Sequence, residues 1–202
     1  MAEQKTKKAI FLDNKSNIQY SIIYEVPGVA LIIDTFDLND NKTGYMKLYF
    51  NPNNRIYLDV IYCYDAFRNK GIATKMSELA DYLLKEQTNA IIRGVLQPSN
   101  LSTDRENNLP FIQEELDLKT RNFYTSNGYS IISYEDYLTN PNKYPGIDVV
   151  NDFQLGEAIF QNIVVKMVEP KEKYSFQEIN GILIHDNALG LKIDENIGEK
   201  IR

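Results

Sequence analysis

Arg55-Ile56-Tyr57-Leu58-Asp59-Val60-Ile61-Tyr62-Cys63-Tyr64-Asp65-Ala66-Phe67-Arg68-Asn69-Lys70-Gly71-Ile72-Ala73 is the stretch on which the reading of this chain turns. Arg55 to Cys63 reads as a strand that is apolar on both faces. Ile56, Leu58 and Val60 fall on one side and Tyr57, Ile61 and Cys63 on the other, the pattern of a strand covered twice. After Arg68 the period changes. Ile72, Met76, Leu79 and Leu83 recur at i, i+4, i+7 and i+11, with Lys75, Glu78, Asp81 and Lys85 on other faces, which predicts an amphipathic helix from Lys70 to Glu86. Between strand and helix stands an R-x-x-G-x-A turn, Arg68 to Ala73. The first turn of a helix offers unpaired N–H groups and the positive end of the dipole, so it suits a phosphate. Gly71 would let a diphosphate approach the backbone, small Ala73 avoids a collision, and Arg68 and Lys70 add positive charge.

Upstream the chain reads as strands. Lys8 to Leu12 is a short one, followed by the turn Asp13-Asn14-Lys15-Ser16-Asn17. Ile18 to Val26 and Val29 to Phe36 flank Pro27-Gly28, and Tyr45 to Phe50 forms a hairpin with Arg55 to Cys63 through Asn51-Pro52-Asn53-Asn54. Downstream, Ala90 to Leu96 is a strand that stops before Pro98. A second helix runs from Asp117, its expected N-cap, to Ser126, with Asn127-Gly128 as its stop. Tyr129 to Tyr134 and Ala158 to Val168 are further strands. Residues 98–116 and 135–157 are long connections, and Glu169 to Lys173 is a charged joint before the extension Tyr174 to Arg202.

The chain has 202 residues, 43% of them hydrophobic, enough for one domain with a sizeable core. Twenty-two Lys and Arg against 28 Asp and Glu leave a charge of −6, which argues against nucleic acid as a partner. A single cysteine allows no internal disulfide and fits a reducing compartment. The longest aliphatic run, Val29 to Ile33, is far short of the roughly 20 residues of a membrane helix. Met1 to Lys8 is polar, without the apolar segment of a signal peptide. The expected setting is soluble and cytoplasmic, with no membrane partner.

Ile61-x-Cys63, followed five residues on by Arg68-Asn69-Lys70-Gly71-Ile72-Ala73, resembles the acyl-CoA-binding segment of the GNAT superfamily of N-acetyltransferases. Arg121-Asn122-Phe123-Tyr124-Thr125-Ser126-Asn127-Gly128-Tyr129 is similar to that family's later helix, which ends in a Tyr-x-x-x-Gly-aromatic signature. The resemblance spans roughly Lys8 to Val168. It implies an α/β (α+β) fold, a mixed and mostly antiparallel central sheet flanked by helices. The sheet would be splayed between the strand before Arg68 and the strand at 90–96. Residues 1–169 would form the acyltransferase domain, and 170–202 an extension packing on it or on a partner subunit. Acetyl-CoA would be the acyl donor. Arg68 and the N–H groups of Asn69, Lys70, Gly71, Ile72, Ala73 and Thr74 would surround its diphosphate, and the main chain of Ile61, Tyr62 and Cys63 would pair with its pantetheine arm. Tyr124 matches the family's tyrosine that protonates the departing thiolate. Asp117 stands where members often carry a cofactor-binding asparagine, with Asn100 the alternative if a long insertion follows it.

Acetylating an amine needs a neutral amine, a polarised thioester and a proton for the thiolate. Asp59 is the sole acid within the apolar strand, and burial would raise its pKa and make it a base, directly or through water. A strand-end or backbone-satisfying role is the alternative. Cys63 lacks a nearby histidine and reads as a small core residue. His185 has no second His or Cys to complete a zinc site and reads as a packing or surface residue. The leading expectation is an N-acetyltransferase that moves an acetyl group to a primary amine of a small molecule or peptide by direct attack. The alternative is a non-catalytic acyl-CoA-binding or protein-interaction module, and a toxin acting on aminoacyl-tRNA is disfavoured by the acidic composition. Sheet edges and the extension point by analogy to a homodimer.

Overall fold

The computed structural model describes residues 5–96, 113–155 and 158–191. In chain order the first elements are β1 (Lys5–Leu12), β2 (Ile18–Val26), β3 (Ala30–Asp37), β4 (Lys42–Asn51), β5 (Arg55–Cys63) and helix α1 (Ile72–Leu83). Then come β6 (Ile91–Val95), α2 (Gln113–Ser126), β7 (Ser130–Ser133), α3 (Tyr134–Thr139), β8 (Gln154–Leu155), β9 (Ala158–Ile159) and β10 (Asn162–Met167). Last are β11 (Phe176–Ile179), β12 (Ile182–His185) and a 3-10 turn, Asp186–Ala188. Two compact units divide these residues, one built from the chain up to Ala90 and from Val168 onward, the other from Ile91 to Met167. The fold is mixed α+β with mostly antiparallel strands. No helix among the described residues is long and apolar enough to cross a membrane.

In the first unit the strand order is β11-β12-β1-β2-β3-β4-β5, and only β1 and β12 run parallel. One core lies between one face of these strands and α1, and a second cluster gathers around Ile10, Tyr20 and Ala188. Ile72, Met76, Leu79 and Ala80 turn inward, as the helical spacing predicts, against Met46, Leu48 and Leu58. Each fully buried side chain of this size contributes about 1.5–3 kcal/mol. The helix starts at Ile72 rather than Lys70 because Gly71 adopts φ +76°, a left-handed conformation that cannot continue it. Asn53 and Asn54, both at positive φ, close the β4–β5 hairpin at the expected turn.

The doubly apolar pattern of β5 has a different cause from the one expected. Lys47 pairs with Val60 and Leu48 with Leu58, so Asp59 is an extra residue, a β-bulge without a cross-strand partner. The bulge switches the alternation. Leu58, Ile61 and Cys63 share the α1 face with Leu48, Met46 and Gly44, while Val60 and Tyr62 share the opposite face with Lys47 and Tyr45. Gly44 is required at this point, because a Cβ there would lie 2.7 Å from the Tyr62 carbonyl oxygen.

In the second unit β10 is flanked by β6 and β7, both antiparallel to it. The connection after β7 is ordered by its own core. Ser133 caps α3 by accepting from the Asp136 N–H at 3.0 Å, and Ile147 and Phe153 pack with Ile132 and Ile163. The second helix already runs through Gln113–Ser126, so Asp117 is an interior position and not the N-cap. Gln113, Glu114, Glu115 and Leu116, ahead of it in the helix, are good helix formers.

Candidate functional site

The end of β5 and the start of α1 meet in one corner. The Arg68 Nε–H donates to the Cys63 carbonyl at 3.3 Å, and the guanidinium lies 5.7 Å from the Tyr62 ring. Arg68 Nη2 is also 2.6 Å from Asp65 Oδ1, an ion pair by distance whose angle is not that of a hydrogen bond, so part of its charge is already spent locally. The Ala73 N–H points at the Cys63 sulfur, yet burial dominates and pushes the thiol up to about 11, so Cys63 stays protonated at neutral pH. The first helical bond runs from the Lys75 N–H to the Gly71 carbonyl at 3.1 Å. The N–H groups of Ile72 and Thr74 have no partner among the described residues, and Gly71 adds no side-chain cap. Those two donors, with Lys70 beside them, suit a diphosphate. Asn69 is exposed at φ +59° in the same turn.

Gly71 serves a purpose beyond the expected one. A Cβ on it would lie 2.5 Å from Asn14 Oδ1, so the space that glycine leaves is filled by the carboxamide of the β1–β2 turn. The Asn14 N–H donates to the Lys70 carbonyl at 2.9 Å. That turn is itself tightly bonded. The Asp13 carboxylate accepts the N–H groups of Lys15 at 2.8 Å and Asn17 at 2.9 Å. Burial alone would raise the Asp13 pKa, but bonds from Asn17 and Lys15 and the charge of Lys70 together hold it below the ordinary value.

Asp59, expected to be buried, is exposed on its bulge. The burial on which its expected role as a base rested is absent. A carboxylate on a bulged, exposed position is instead reachable by a solute.

In the second unit Tyr124 lies in the last turn of α2, its ring 5.2 Å from Phe123 and 5.4 Å from Tyr129. Burial pushes its hydroxyl up to about 12. Among the described residues that hydroxyl has no hydrogen-bond partner, which leaves its proton available to an incoming acceptor. Asp117 lies seven residues earlier on the same helix, about 10 Å along its axis. Asn100 falls outside the described residues.

No protein-family model and no curated protein matches the chain. Solved structures similar to it include an acetyltransferase of the GNAT family from Staphylococcus aureus Mu50, with 17% identity, 70% of each chain covered and a TM-score of 0.45. The PaiA N-acetyltransferase from Thermoplasma acidophilum in complex with coenzyme A is 14% identical over 69% of this chain and 61% of its own, at a TM-score of 0.41. A GNAT family acetyltransferase from Elizabethkingia anophelis with acetyl-CoA bound is 11% identical over 69% of this chain and 76% of its own, at 0.39.

Two features at the first corner escape the sequence reading. The turn Asp13–Asn17 shows as a turn, but nothing local says that it packs on Gly71. His185 is buried, and its Nε2 lies 2.7 Å from Glu78 Oε2 on α1, with Lys75 Nζ 3.0 Å from the same oxygen. Nδ1 accepts the Asn187 N–H at 3.0 Å, so Nε2 carries the proton that goes to Glu78. Among the described residues no group of three His, Cys, Asp or Glu side chains is placed to hold a metal ion.

Proposed function

We propose that this chain is an N-acyltransferase that moves an acetyl group from acetyl-CoA to a primary amine by direct attack. The observation that carries the reading is the corner at Gly71, where a left-handed glycine opens α1 and the Ile72 and Thr74 N–H groups are left without partners beside Lys70. A diphosphate fits that donor set. On this reading Arg68, Asn69, Lys70, Gly71, Ile72, Ala73 and Thr74 surround the diphosphate, and Ile61, Tyr62 and Cys63 offer main chain to the pantetheine arm. Asp117 is a further cofactor contact. The extension after residue 169 completes the first unit of an acyltransferase domain that begins upstream.

Asp59 takes a proton from the acceptor ammonium, directly or through water, and so frees the nitrogen lone pair. The amine then adds to the thioester carbonyl, the C–S bond breaks, the thiolate takes the Tyr124 hydroxyl proton, and the second proton lost by the nitrogen passes through water to restore that hydroxyl. With its pKa near 12 that hydroxyl is protonated throughout the neutral range, so it acts as a donor and never as a base.

A second reading, a non-catalytic acyl-CoA-binding or interaction module, is favoured by the exposure of Asp59, which removes the burial-based reason for a strong base. Calorimetry with coenzyme A, followed by thiol release across an amine panel with acetyl-CoA, separates the two. Heat and thiol release support the enzyme, and heat without release supports the module. No heat from a folded protein overturns both.

A further inference from the structure

The corner at Gly71 is enclosed by a continuous circuit of hydrogen bonds that passes through the C-terminal segment. It leaves α1 at Glu78, which receives Nε2–H of His185 at 2.7 Å. His185 ends β12, and its Nδ1 accepts the Asn187 N–H at 3.0 Å. The Asn187 carboxamide then makes a two-point pairing with the end of β1. Its Oδ1 accepts the Leu12 N–H at 3.1 Å and its Nδ2 donates to the Leu12 carbonyl at 2.8 Å. The next residue, Asp13, anchors the turn whose Asn14 N–H returns to the Lys70 carbonyl at 2.9 Å.

That last bond orients the peptide between Lys70 and Gly71. Two residues around it, Asn69 and Gly71, have left-handed backbone angles of +59° and +76°. Such angles persist only where the surroundings hold them. The Asn14 carboxamide lies against Gly71 on the side where a Cβ would point. The Ile72 and Thr74 N–H groups thus sit next to a peptide bonded to a turn more than fifty residues away, and Asn187 pairs with Leu12, two residues before Asn14.

We propose that Asn14, held in place through Asn187, is a positioning residue for the phosphate seat at the start of α1. The inference rests on the acyl-CoA reading above, since it assumes a diphosphate in that seat.

The test uses the full chain, as wild type and as Asn187→Ala, Asn187→Asp and Asn14→Pro. Three quantities are measured for each: the Kd for coenzyme A by calorimetry, the melting temperature, and amide hydrogen exchange over residues 69–75 against 76–83. Asn187→Ala is expected to weaken coenzyme A about tenfold, the size of one good hydrogen bond. Exchange should rise at residues 69–75 and stay unchanged over 76–83, with little change in melting. Asn187→Asp keeps the oxygen that accepts the Leu12 N–H and should recover part of the affinity. Asn14→Pro deletes the donor to Lys70 and should weaken binding at least as much. Wild-type affinity in Asn187→Ala overturns the inference, and so does a loss that merely tracks a general drop in melting and a rise in exchange along all of α1. A folded wild type that gives no heat with coenzyme A overturns the acyl-CoA reading itself, and the positioning role falls with it.

Discussion

The two corners that carry the candidate chemistry are held by opposite means. At the end of α2, Tyr124 is fixed by its neighbours in sequence. The Asn127 N–H donates to the Phe123 carbonyl at 3.2 Å, the Tyr129 N–H to the Tyr124 carbonyl at 3.0 Å, and the rings of Phe123, Tyr124 and Tyr129 pack edge to face. At the start of α1, Gly71 is fixed by residues far away, with Asn187 and Leu12 separated by 175 positions and His185 and Glu78 by 107. A helix end finished by its own chain is set as soon as the helix forms. A helix start braced by distant segments is set only when the whole unit has assembled, and it can be disturbed from any of them.

The sharpest way to break this contrast is a matched pair of substitutions. Gly71 and Gly128 both sit at left-handed angles, +76° and +81°. Gly128→Ala should cost only the left-handed strain, about 1–2 kcal/mol, because its new Cβ would meet nothing closer than Lys166 Cε at 3.6 Å. Gly71→Ala should cost more by chemical denaturation, since its Cβ would come within 2.5 Å of Asn14 Oδ1 and force the turn away. Adding Asn14→Gly should return part of the difference at Gly71 and none at Gly128. Equal costs would mean that the long-range brace contributes nothing.

A smaller effect is expected at the other corner. Tyr124→Phe should cut turnover at least about tenfold, or 1.4 kcal/mol, with little change in acetyl-CoA affinity. Steady-state kinetics beside a binding isotherm checks this, and wild-type turnover would remove Tyr124 from the mechanism.

The least effect at neutral pH, and a growing one in acid, belongs to Glu78. Burial acts to raise its pKa, but the bonds from His185 and Lys75 and the charge of Lys75 prevail and hold it below the ordinary 4.5. A carboxylate depressed in the folded state stabilises it above the ordinary pKa and loses that contribution as pH falls through the lowered value. The melting temperature of the wild type should therefore decline below pH 4.5, and Glu78→Gln should decline less steeply over the same range. Parallel curves would detach Glu78 from the circuit.

Much of the fold was legible because it rests on short-range patterns. The strands β2, β3 and β5, the β4–β5 turn at Asn53 and Asn54, and the inward face of α1 at Ile72, Met76 and Leu79 follow from alternation, turn chemistry and helical spacing. The stop at Gly128 is likewise readable, since only glycine takes that angle cheaply, whereas the helical spacing runs on through Gly71, whose left-handed angle moves the start of α1 to Ile72. The cap expected at Asp117 falls inside α2 because Asp is a good cap wherever a helix opens, while Gln113 to Leu116 ahead of it simply favour helix.

By itself, then, the amino-acid order decided the strand–turn–helix succession, the apolar stripe of α1 and the corner at Gly128, because each depends on residues within a few positions of one another. Tertiary structure alone decided the rest. Asp59 became an exposed bulge through the register of β4 against β5, Asn14 came to lie over Gly71, and His185 found Glu78. Register and long-range packing are properties of pairs of segments, and neither member of a pair carries the other's address.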